Sequence, residues 1–419
     1  MKVKIGIVGF GEFSESFLPL FIAHPDVEYV CGAEIYEPRR KHIEEVYGIK
    51  MYSSYDEMLE NDTEINSIGI FTQRHQHGPM TIKAMEAGKH VYSAVPMGIT
   101  EKEVFDIIKL ADEKDLIYMM GETCYYFPCA IFCRKMREEG KFGNITYAES
   151  QYYHNITEFI GSYNGSGNDA WRKDIGIPPM YYSTHSMSMA FSAMDDYPVE
   201  VTAFGYKDIE NDGFYGKGMN RWDNEFSNET ALLRMSKGAM VRINEFRRVS
   251  TIKPSSYITG VYGDRGTYEA SGMQHLFMQR SDDDKVSVND VSSLVDSYNY
   301  AQMIKDGGSM EKGILSYSYH RGFSPVHPVE RLPKAFIELA TGLHKPNTDG
   351  HGGSHPFLVD DFVRAVVQHK LPPVNAWTSA TYTLPGIYAH MSAMQNGKTL
   401  KLPEIPNEMD YVVELELKE

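Results

Sequence analysis

The sequence predicts an α/β protein with an N-terminal Rossmann parallel sheet and a C-terminal α/β domain built on an open, mostly antiparallel sheet. A short apolar strand at residues 3–8 leads straight into a glycine-rich turn. Strand and helix patterns then alternate as far as Gly121, which is typical of parallel strands joined by crossover helices. Beyond Gly121, strand patterns follow one another without helices between them, which favours antiparallel pairing. The 419 residues therefore divide into predicted domains at 1–121 and 122–419.

The glycine-rich turn at residues 9–14 predicts a dinucleotide site. Gly9 permits a tight turn, and Gly11 lets the backbone approach a pyrophosphate. The following helix would offer its N-terminal N–H groups to that anion, and Ser14 is small enough for close helix–strand packing. The predicted cofactor contacts from this turn are Gly9, Phe10, Gly11, Glu12 and Phe13.

An acidic residue at the end of the second predicted strand selects the cofactor. Glu34 follows the strand at 27–33, at the offset of about 20 residues where a carboxylate accepts from a ribose 2′-hydroxyl. Such a carboxylate repels a 2′-phosphate, so NAD is predicted and NADP is less favoured. Arg39 and Arg40 follow closely and could instead bind the 2′-phosphate of NADP. An alternative interpretation of Glu34 is that its side chain simply faces solvent at the strand end.

The remaining elements are predicted from hydrophobic periodicity and turn residues. In the first domain the predicted helices are 39–47, 54–61, 79–87 and 101–114, and the predicted strands are 65–72, 90–93 and 116–120. In the second the predicted strands are 145–154, 199–205, 231–235, 239–246, 257–262 and 266–270, and the predicted helices are 356–369 and 379–396. Residues 208–222 and 281–327 are predicted loops.

Composition excludes several classes of partner. The formal net charge of −16 argues against nucleic acid and against an acidic membrane surface. No apolar run approaches the roughly 20 residues that span a bilayer, and no signal peptide is evident, so a cytoplasmic location is expected. The four cysteines, at 31, 124, 129 and 133, lack a usual zinc spacing. We therefore predict buried thiols, no disulfide and no metal.

Several motifs, taken in order, resemble the Gfo/Idh/MocA family of nucleotide-dependent sugar oxidoreductases. They are Thr72–His77 followed by Ala84–Val91, then Gly140–Gly143 and Gly263–Gly266. The resemblance implies an active site between a Rossmann domain and an open sheet, and a homo-oligomer in which open sheets pair face to face. It also implies further cofactor contacts at Thr72, His77, Ala94 and Pro96. The alternative for His77 is a partner for a helix N-terminus.

One segment departs from the family pattern. Most members carry Glu-Lys-Pro where this chain has Ala94-Val95-Pro96, and in them the lysine assists proton transfer. Trp171-Arg172 and Tyr182–His185 resemble the NAD-dependent glycoside hydrolases of the superfamily, which often lack that lysine and carry Tyr-x-x-His in the substrate site. Ala94 replaces the glutamate of that subgroup, and Ser183 replaces its usual proline. Membership of another branch without the lysine is the alternative.

Without the lysine, a different residue must accept the proton. Oxidation of a secondary hydroxyl needs a base, and His185 is the preferred candidate, with Tyr182 on the same face if this stretch is helical. The alternative for His185 is a hydrogen-bonded histidine within a Met-rich helix. The predicted substrate contacts are His154, Trp171, Arg172 and Tyr126. In the alternatives, His154 pairs across the sheet, and Trp171 is buried beside an interdomain salt bridge of Arg172.

These residues together predict an NAD(H)-dependent oxidoreductase acting on a secondary hydroxyl of a sugar or glycoside. The first alternative is a glycoside hydrolase that keeps its NAD bound, so that oxidation, elimination, hydration and reduction sum to hydrolysis. The second alternative is a non-catalytic NAD(H)-binding sensor, which the loss of the lysine permits. The predicted partner is a small sugar or glycoside.

Overall fold

The first sheet has the strand order of a Rossmann domain. The computed structural model describes residues 2–157, 160, 170–249, 256–270, 274–295, 323–341 and 350–406. Six parallel strands lie in the order β3-β2-β1-β4-β5-β6. They are β1 (Val3–Val8), β2 (Val27–Ala33), β3 (Lys50–Tyr52), β4 (Ser67–Ile70), β5 (His90–Ser93) and β6 (Tyr118–Met120). The helices are α1 (Glu12–Glu15), α2 (Leu18–Ala23), α3 (Glu37–Tyr47), α4 (Tyr55–Asn61), α5 (Arg74–Glu86) and α6 (Glu101–Glu113).

Three features of this half differ from the sequence-based expectations. Strand β3 was not predicted, because three residues are too few to show a period. The helix after the glycine turn is broken, since α1 has only four residues and α2 begins two residues further on, with Pro19 in its first turn. Helix α5 begins at Arg74 and includes Pro79, so His77 lies in a helix and not in a loop.

The second sheet is mixed and mostly antiparallel, which confirms the predicted fold class. Its order is β14-β13-β12-β11-β7-β10-β9-β8-β15. Among the described strands of this second sheet, only β7 and β10 pair in parallel. The strands are β7 (Ile145–Tyr153), β8 (Pro198–Lys207), β9 (Phe226–Met235), β10 (Met240–Phe246), β11 (Ser256–Gly263), β12 (Gly266–Ala270), β13 (His275–Arg280), β14 (Val286–Asp290) and β15 (Leu400–Lys401).

The predicted loops have different outcomes. Residues 208–222 contain neither helix nor strand, as expected. The loop predicted at 281–327 is wrong in part, because β14 and the short helix α10 (Ser292–Val295) fall within it. All five residues of β14 are exposed, so no buried face marks that strand in the sequence. Residues 296–322 of the predicted loop lie outside the described residues.

Among the described residues, helices cover one face of the second sheet and leave the other open. Besides α10, the described α-helices of this half are α7 (Pro128–Glu138), α8 (Trp171–Asp174), α9 (Thr184–Met194), α11 (Lys334–Thr341), α12 (Gly350–Gln368) and α13 (Ala376–Met394). Along β9, Ala231 and Leu233 are buried on the covered face, whereas Leu232 is 45% exposed. None of the described helices is long and apolar enough to cross a membrane.

The chain returns to the first sheet near its end. Phe357, Phe362 and Val363 of α12 belong to the same buried cluster as Val3 and Ile5 of β1. The Phe362 ring lies 5.7 Å from that of Tyr92 and 6.5 Å from that of Phe21. Residues far beyond 121 therefore complete the core under the parallel sheet, and the domain division at residue 121 stays a prediction.

We expect Phe362→Ala to lower the free energy of unfolding by about 3–5 kcal/mol, because it removes a fully buried ring and leaves a cavity. Urea unfolding followed by circular dichroism measures this. Met394→Ala is the control, since Met394 is 52% exposed and should cost less than about 0.5 kcal/mol. Equal small effects of the two substitutions would contradict the shared core.

Candidate active site

The glycine turn after β1 is shaped for close approach by a ligand. Gly9 has a φ of 84°, and a Cβ there would lie 2.9 Å from the Phe71 carbonyl oxygen. A Cβ on Gly11 would meet nothing within 4 Å. The missing side chain of Gly11 thus leaves open space beside the turn, where a pyrophosphate can approach the backbone, and the turn fits a dinucleotide. Because α1 has only four residues, its dipole contributes less than the sequence suggests.

Glu34 braces this turn. Its Oε2 accepts a hydrogen bond of 2.9 Å from the Phe10 N–H, and its Oε1 accepts one of 2.8 Å from the Tyr36 N–H. Glu34 is 6% exposed, so the alternative in which it simply faces solvent is wrong. Each carboxylate oxygen has a second lone pair for a ribose hydroxyl. Both neighbouring arginines contact Glu34. Arg39 Nη1 lies 3.6 Å from Glu34 Oε2, and Arg40 Nη1 donates to the Glu34 carbonyl oxygen at 2.8 Å.

His77 ties together the ends of β4 and β5. Its Nδ1 lies 2.9 Å from the Pro96 carbonyl oxygen and its Nε2 lies 3.0 Å from the Thr72 carbonyl oxygen. Burial lowers the pKa of His77 to about 4, so the ring is neutral and donates to only one of the two. The imidazole therefore holds two segments predicted to line the cofactor. Direct cofactor contact by Thr72, His77, Ala94 and Pro96 stays a prediction.

The position of the missing lysine is apolar. Val95 is 5% exposed and Ala94 is 7% exposed. The Ala94 N–H donates to the Ile70 carbonyl oxygen at 2.8 Å, which continues the pairing of β5 with β4. This segment therefore supplies no side chain that could accept or donate a proton.

Tyr182 and His185 are brought together although they do not share one regular helix. Tyr182 ends a 3₁₀ turn at Pro179–Tyr182, and His185 lies in the first turn of α9. The Tyr182 hydroxyl is 3.3 Å from His185 Nε2. Burial raises the pKa of Tyr182, and the Arg74 guanidinium, 4.0 Å above its ring, opposes that rise. A phenol and an imidazole in contact form a pair able to pass a proton.

Glu122 lies on the other side of the His185 ring. Its Oε1 is 2.6 Å from His185 Nδ1 and also accepts from the Cys124 N–H at 2.9 Å. Glu122 is completely buried, and it lies two residues after the end of β6, at the carboxyl edge of the parallel sheet. We assigned it no role from sequence. An acidic residue at a carboxyl strand end in an α/β protein is the signal that could have identified it.

A metal ion is an alternative interpretation of this cluster. Ligand atoms of Glu122, Cys124 and His185 lie within 4.8 Å of one another. Nitrogen and oxygen ligands on one tetrahedral zinc would lie about 3.3 Å apart, given bond lengths of about 2.0–2.1 Å. The observed separation of 2.6 Å between His185 Nδ1 and Glu122 Oε1 is that of a charge-assisted hydrogen bond. The geometry thus favours an orienting contact.

The second sheet contributes a polar group that sequence reasoning largely missed. The Tyr152 hydroxyl is hydrogen-bonded to His154 Nδ1, and the Tyr152 ring centroid lies 5.1 Å from that of His185. The Arg247 guanidinium lies 5.0 Å from the centre of the Tyr152 ring and donates to Glu245 Oε2 at 3.1 Å. Burial raises the pKa of Glu245 to about 8, against the opposing effect of Arg247. The predicted His154 therefore lies in the same polar cluster as His185.

A glycine-rich loop, formed by three residues with non-helical backbone near the start of α12, lies between the cofactor turn and this cluster. His351, Gly352 and Gly353 all have positive φ, between 50° and 80°. The His351 ring centroid lies 5.4 Å from that of Phe13 in the first turn. Burial lowers the pKa of His351 well below its usual value, and the nearby rings of His355, His185 and His154 add to that effect. The loop therefore adjoins both the predicted cofactor turn and His185.

Two predicted substrate residues have protein contacts of their own. Trp171 is 3% exposed in a cluster with Ile156, Ile175, Phe214 and Tyr215. The Arg172 guanidinium lies 4.8 Å from the Trp171 ring centre. The burial of Trp171 agrees with the alternative interpretation, in which this tryptophan is packed inside the protein. Substrate contact by either residue stays a prediction.

Tyr126 belongs to a buried ion-pair network. Its hydroxyl donates to Asp361 and accepts from Arg331 at 3.0 Å, and its ring stacks on Phe357 at 5.1 Å. Arg331 also donates to Asp361 at 2.6 Å. These contacts attach the turn after β6 to α12, so the Tyr126 hydroxyl is engaged within the protein. Its predicted role in substrate binding is untested.

Comparison with known proteins identifies the family. A family model described as an oxidoreductase family with an NAD-binding Rossmann fold matches residues 3–122, and the model of its C-terminal α/β domain matches residues 134–402. The chain belongs to the Gfo/Idh/MocA oxidoreductase family. The predicted NAD-binding Rossmann domain is thereby confirmed.

Curated relatives of this Gfo/Idh/MocA protein carry a glycosidase name. Glycosyl hydrolase family 109 protein 5 of Phocaeicola vulgatus is 24% identical over 88% of this chain and 71% of its own length. A family 109 protein of Porphyromonas gingivalis is 27% identical over 61% of this chain and 57% of its own length. The chain thus spans less than two thirds of some of these relatives. They confirm the predicted resemblance to the glycoside hydrolase subgroup.

Solved structures share the fold at low sequence identity. A levoglucosan dehydrogenase in complex with NADH and levoglucosan has a TM-score of 0.69 and 16% identity, covering 96% of this chain and 100% of that chain. The myo-inositol 2-dehydrogenase of Lactobacillus plantarum has a TM-score of 0.65 and 16% identity, with the same coverage. At this identity the likeness establishes the fold alone.

We expect Gly11→Ala to weaken NADH binding by roughly tenfold or more, because the added methyl occupies the space a pyrophosphate needs. Its melting temperature should stay close to that of the wild type, since the new Cβ meets nothing within 4 Å. Titration calorimetry with NADH and thermal unfolding measure the two quantities.

Gly9→Ala is the matched control. It should lower stability by about 1–3 kcal/mol, because alanine is strained at positive φ and its Cβ would lie 2.9 Å from a carbonyl oxygen. If Gly11→Ala binds NADH with wild-type affinity, the glycine turn is not part of the cofactor site.

Proposed function

We propose that this protein is an NAD(H)-dependent oxidoreductase acting on a secondary hydroxyl of a sugar or glycoside, with NAD preferred over NADP. The observation that carries the proposal is the contact of 3.3 Å between the Tyr182 hydroxyl and His185 Nε2. It supplies a proton acceptor in a family member that has Val95 in place of the usual lysine. The named substrates of the fold relatives, levoglucosan and myo-inositol, support a polyhydroxylated substrate.

Each part of the site has a distinct task in this reaction. The glycine turn binds the pyrophosphate and Glu34 accepts from the ribose, while the bound nicotinamide provides the hydride acceptor. Tyr182 orients the substrate hydroxyl, and His185 Nε2 takes its proton, directly or through the phenol. Tyr152 and His154 offer further hydrogen-bonding groups beside the imidazole. The half-buried Tyr182 contributes to excluding water from the pair.

Net hydrolysis is the second candidate, favoured by the glycosyl hydrolase names of the curated relatives. The same residues would serve it, since removal of a hydroxyl proton begins both reactions. The two are separated by product. Accumulation of reduced nicotinamide with a free sugar indicates net oxidation. Glycoside cleavage without net NADH, together with exchange of the sugar C2 proton in deuterated solvent, indicates net hydrolysis.

We expect His185→Asn to lower kcat by about 10²–10⁴-fold in whichever of these assays the wild type is active, because a positioned base is lost. Tyr182→Phe should raise KM and lower kcat, since the hydroxyl is removed and the ring retained. The control is His390→Asn. His390 is also buried and lies 2.7 Å from a glutamate, Glu229, but we assign it no role in the reaction.

Turnover by His185→Asn at the wild-type rate would refute the assignment. Tight NADH binding without turnover on any sugar or glycoside of a broad panel would favour the non-catalytic sensor. Absence of nicotinamide binding would overturn both enzymatic candidates.

We also propose a homo-oligomer that pairs the open faces of the second sheet. Support comes from four apolar residues exposed by 45–65% on adjacent strands of that face, namely Phe204, Tyr206, Leu232 and Met240. Exposed apolar patches on a sheet are typical of subunit contacts.

A cytoplasmic location fits the four cysteines, all of which are described, buried and outside any disulfide.

We expect the wild type to be at least dimeric in light scattering coupled to size exclusion, and Leu232→Glu to shift it toward the monomer, because a buried unpaired charge opposes association. Val46→Glu is the control, since Val46 is 56% exposed on α3, outside this sheet. A monomeric wild type, or equal effects of the two substitutions, would refute the proposed interface.

A further inference from the structure

The completely buried carboxylate of Glu122 contacts His185 on the side of the imidazole opposite Tyr182. We propose that Glu122 is a positioning residue, which keeps a proton on His185 Nδ1 so that the Nε2 lone pair faces Tyr182 and the substrate hydroxyl. This inference rests on the proposed function and deepens it, because it identifies what makes His185 a proton acceptor. The structure thereby assigns a three-membered chain of Tyr182, His185 and Glu122.

The hydrogen-bond pattern supports this orientation. A neutral imidazole has one donor and one acceptor nitrogen, and the partner of one nitrogen decides the role of the other. Glu122 Oε1 accepts from the Cys124 N–H at 2.9 Å while lying 2.6 Å from His185 Nδ1. A carboxylate oxygen that accepts from both groups places the proton on Nδ1. His185 Nε2, 3.3 Å from the Tyr182 hydroxyl, is then the acceptor.

The second oxygen of Glu122 distinguishes it from a structural carboxylate. Among the described residues, Oε2 has no hydrogen-bond partner. A second buried Glu–His pair differs in this respect, because Glu229 contacts His390 through Oε1 at 2.7 Å and accepts from the Met180 N–H through Oε2 at 2.8 Å. The negative charge of Glu122 is therefore less dispersed, and more of it acts on His185.

The replacement of the lysine explains why such a charge is needed. When His185 takes a proton, an imidazolium forms in a site where the histidine is 4% exposed. An unpaired charge there would cost several kcal/mol. The Glu122 carboxylate supplies the opposite charge at 2.6 Å. The pair is thus neutral overall while the proton resides on the imidazole.

Glu122→Gln tests the inference, because its amide oxygen can still accept from the Cys124 N–H and from His185 Nδ1–H while the negative charge is lost. We expect kcat to fall by about 10²–10⁴-fold, with KM and the NADH dissociation constant within threefold of wild type. The tautomer is measured directly from ¹⁵N shifts of ¹⁵N-histidine-labelled protein, with the His185 signals assigned from His185→Asn. We expect Nδ1–H in the wild type and in Glu122→Gln, and a mixture of both tautomers in Glu122→Leu, which offers Nδ1 no acceptor.

Two further variants provide the controls. Glu229→Gln removes the carboxylate of the second pair and should keep kcat within a few-fold of wild type. Glu122→Asp keeps an acceptor on a shorter side chain and should recover at least tenfold of the kcat lost in Glu122→Gln. Glu122→Asp also tests the inference if Glu122→Gln does not fold. In that case we expect the kcat of Glu122→Asp to lie below the wild-type value, with the proton still on His185 Nδ1.

Each outcome bears on one proposal. Wild-type kcat in Glu122→Gln, or an unchanged tautomer in Glu122→Leu, would overturn the role of Glu122 while leaving the proposed function intact. Activity lost to a chelator and restored by Zn²⁺ would also overturn it, because His185 Nδ1 would then be a metal ligand. A wild type without any turnover would overturn the proposed function, and the positioning role with it, whatever the ¹⁵N shifts.

Discussion

The hydrogen bond between Glu122 and His185 joins the two halves of the molecule at the candidate site. Glu122 follows the last strand of the parallel sheet, whereas His185 lies on α9, which packs against the second sheet. Both residues are almost completely buried, so their polar atoms must satisfy one another. Any displacement of one half relative to the other would break this contact between a buried carboxylate and a buried imidazole. The same contact therefore stabilises the arrangement and orients the ring of His185, the proposed base.

The surroundings of this contact compensate for a missing amine. A lysine at position 95 would bring a positive charge, and Val95 brings none. The cationic groups come from elsewhere, with Arg74 above the Tyr182 ring and Arg247 near the Tyr152 ring. Each guanidinium lies on an aromatic face, which stabilises it within the protein. In the proposed function, the proton acceptor therefore lies on a helix of the second half and not at a strand end.

The cofactor side depends on backbone geometry more than on charge. Glu34 holds the glycine turn through two backbone N–H groups, and His77 links the carbonyl groups that follow β4 and β5. Both residues were selected from sequence for contact with the cofactor itself. Their observed contacts show them shaping the backbone around it, which is compatible with that contact and explains why both are buried.

Local sequence was sufficient for much of this molecule. The apolar strand, the glycine turn and the acidic residue at position 34 predict the Rossmann sheet and its cofactor because each depends on residues close together in the chain. Alternation of buried and exposed residues likewise predicts most strands of the second sheet. Four strands were not predicted: β3 and β15, which are too short, β14, which has no buried face, and β13.

Only the tertiary structure decided which side chains meet at the site. Sequence alone pointed to Tyr182 and His185 through their resemblance to the Tyr-x-x-His segment and through their spacing of three residues. Glu122 lies 63 positions from His185, and no periodic pattern relates two such residues. The same holds for Tyr126, whose hydroxyl meets Asp361 at a separation of 235 positions. Contacts of this kind follow from how sheets and helices pack, and packing depends on the whole chain at once.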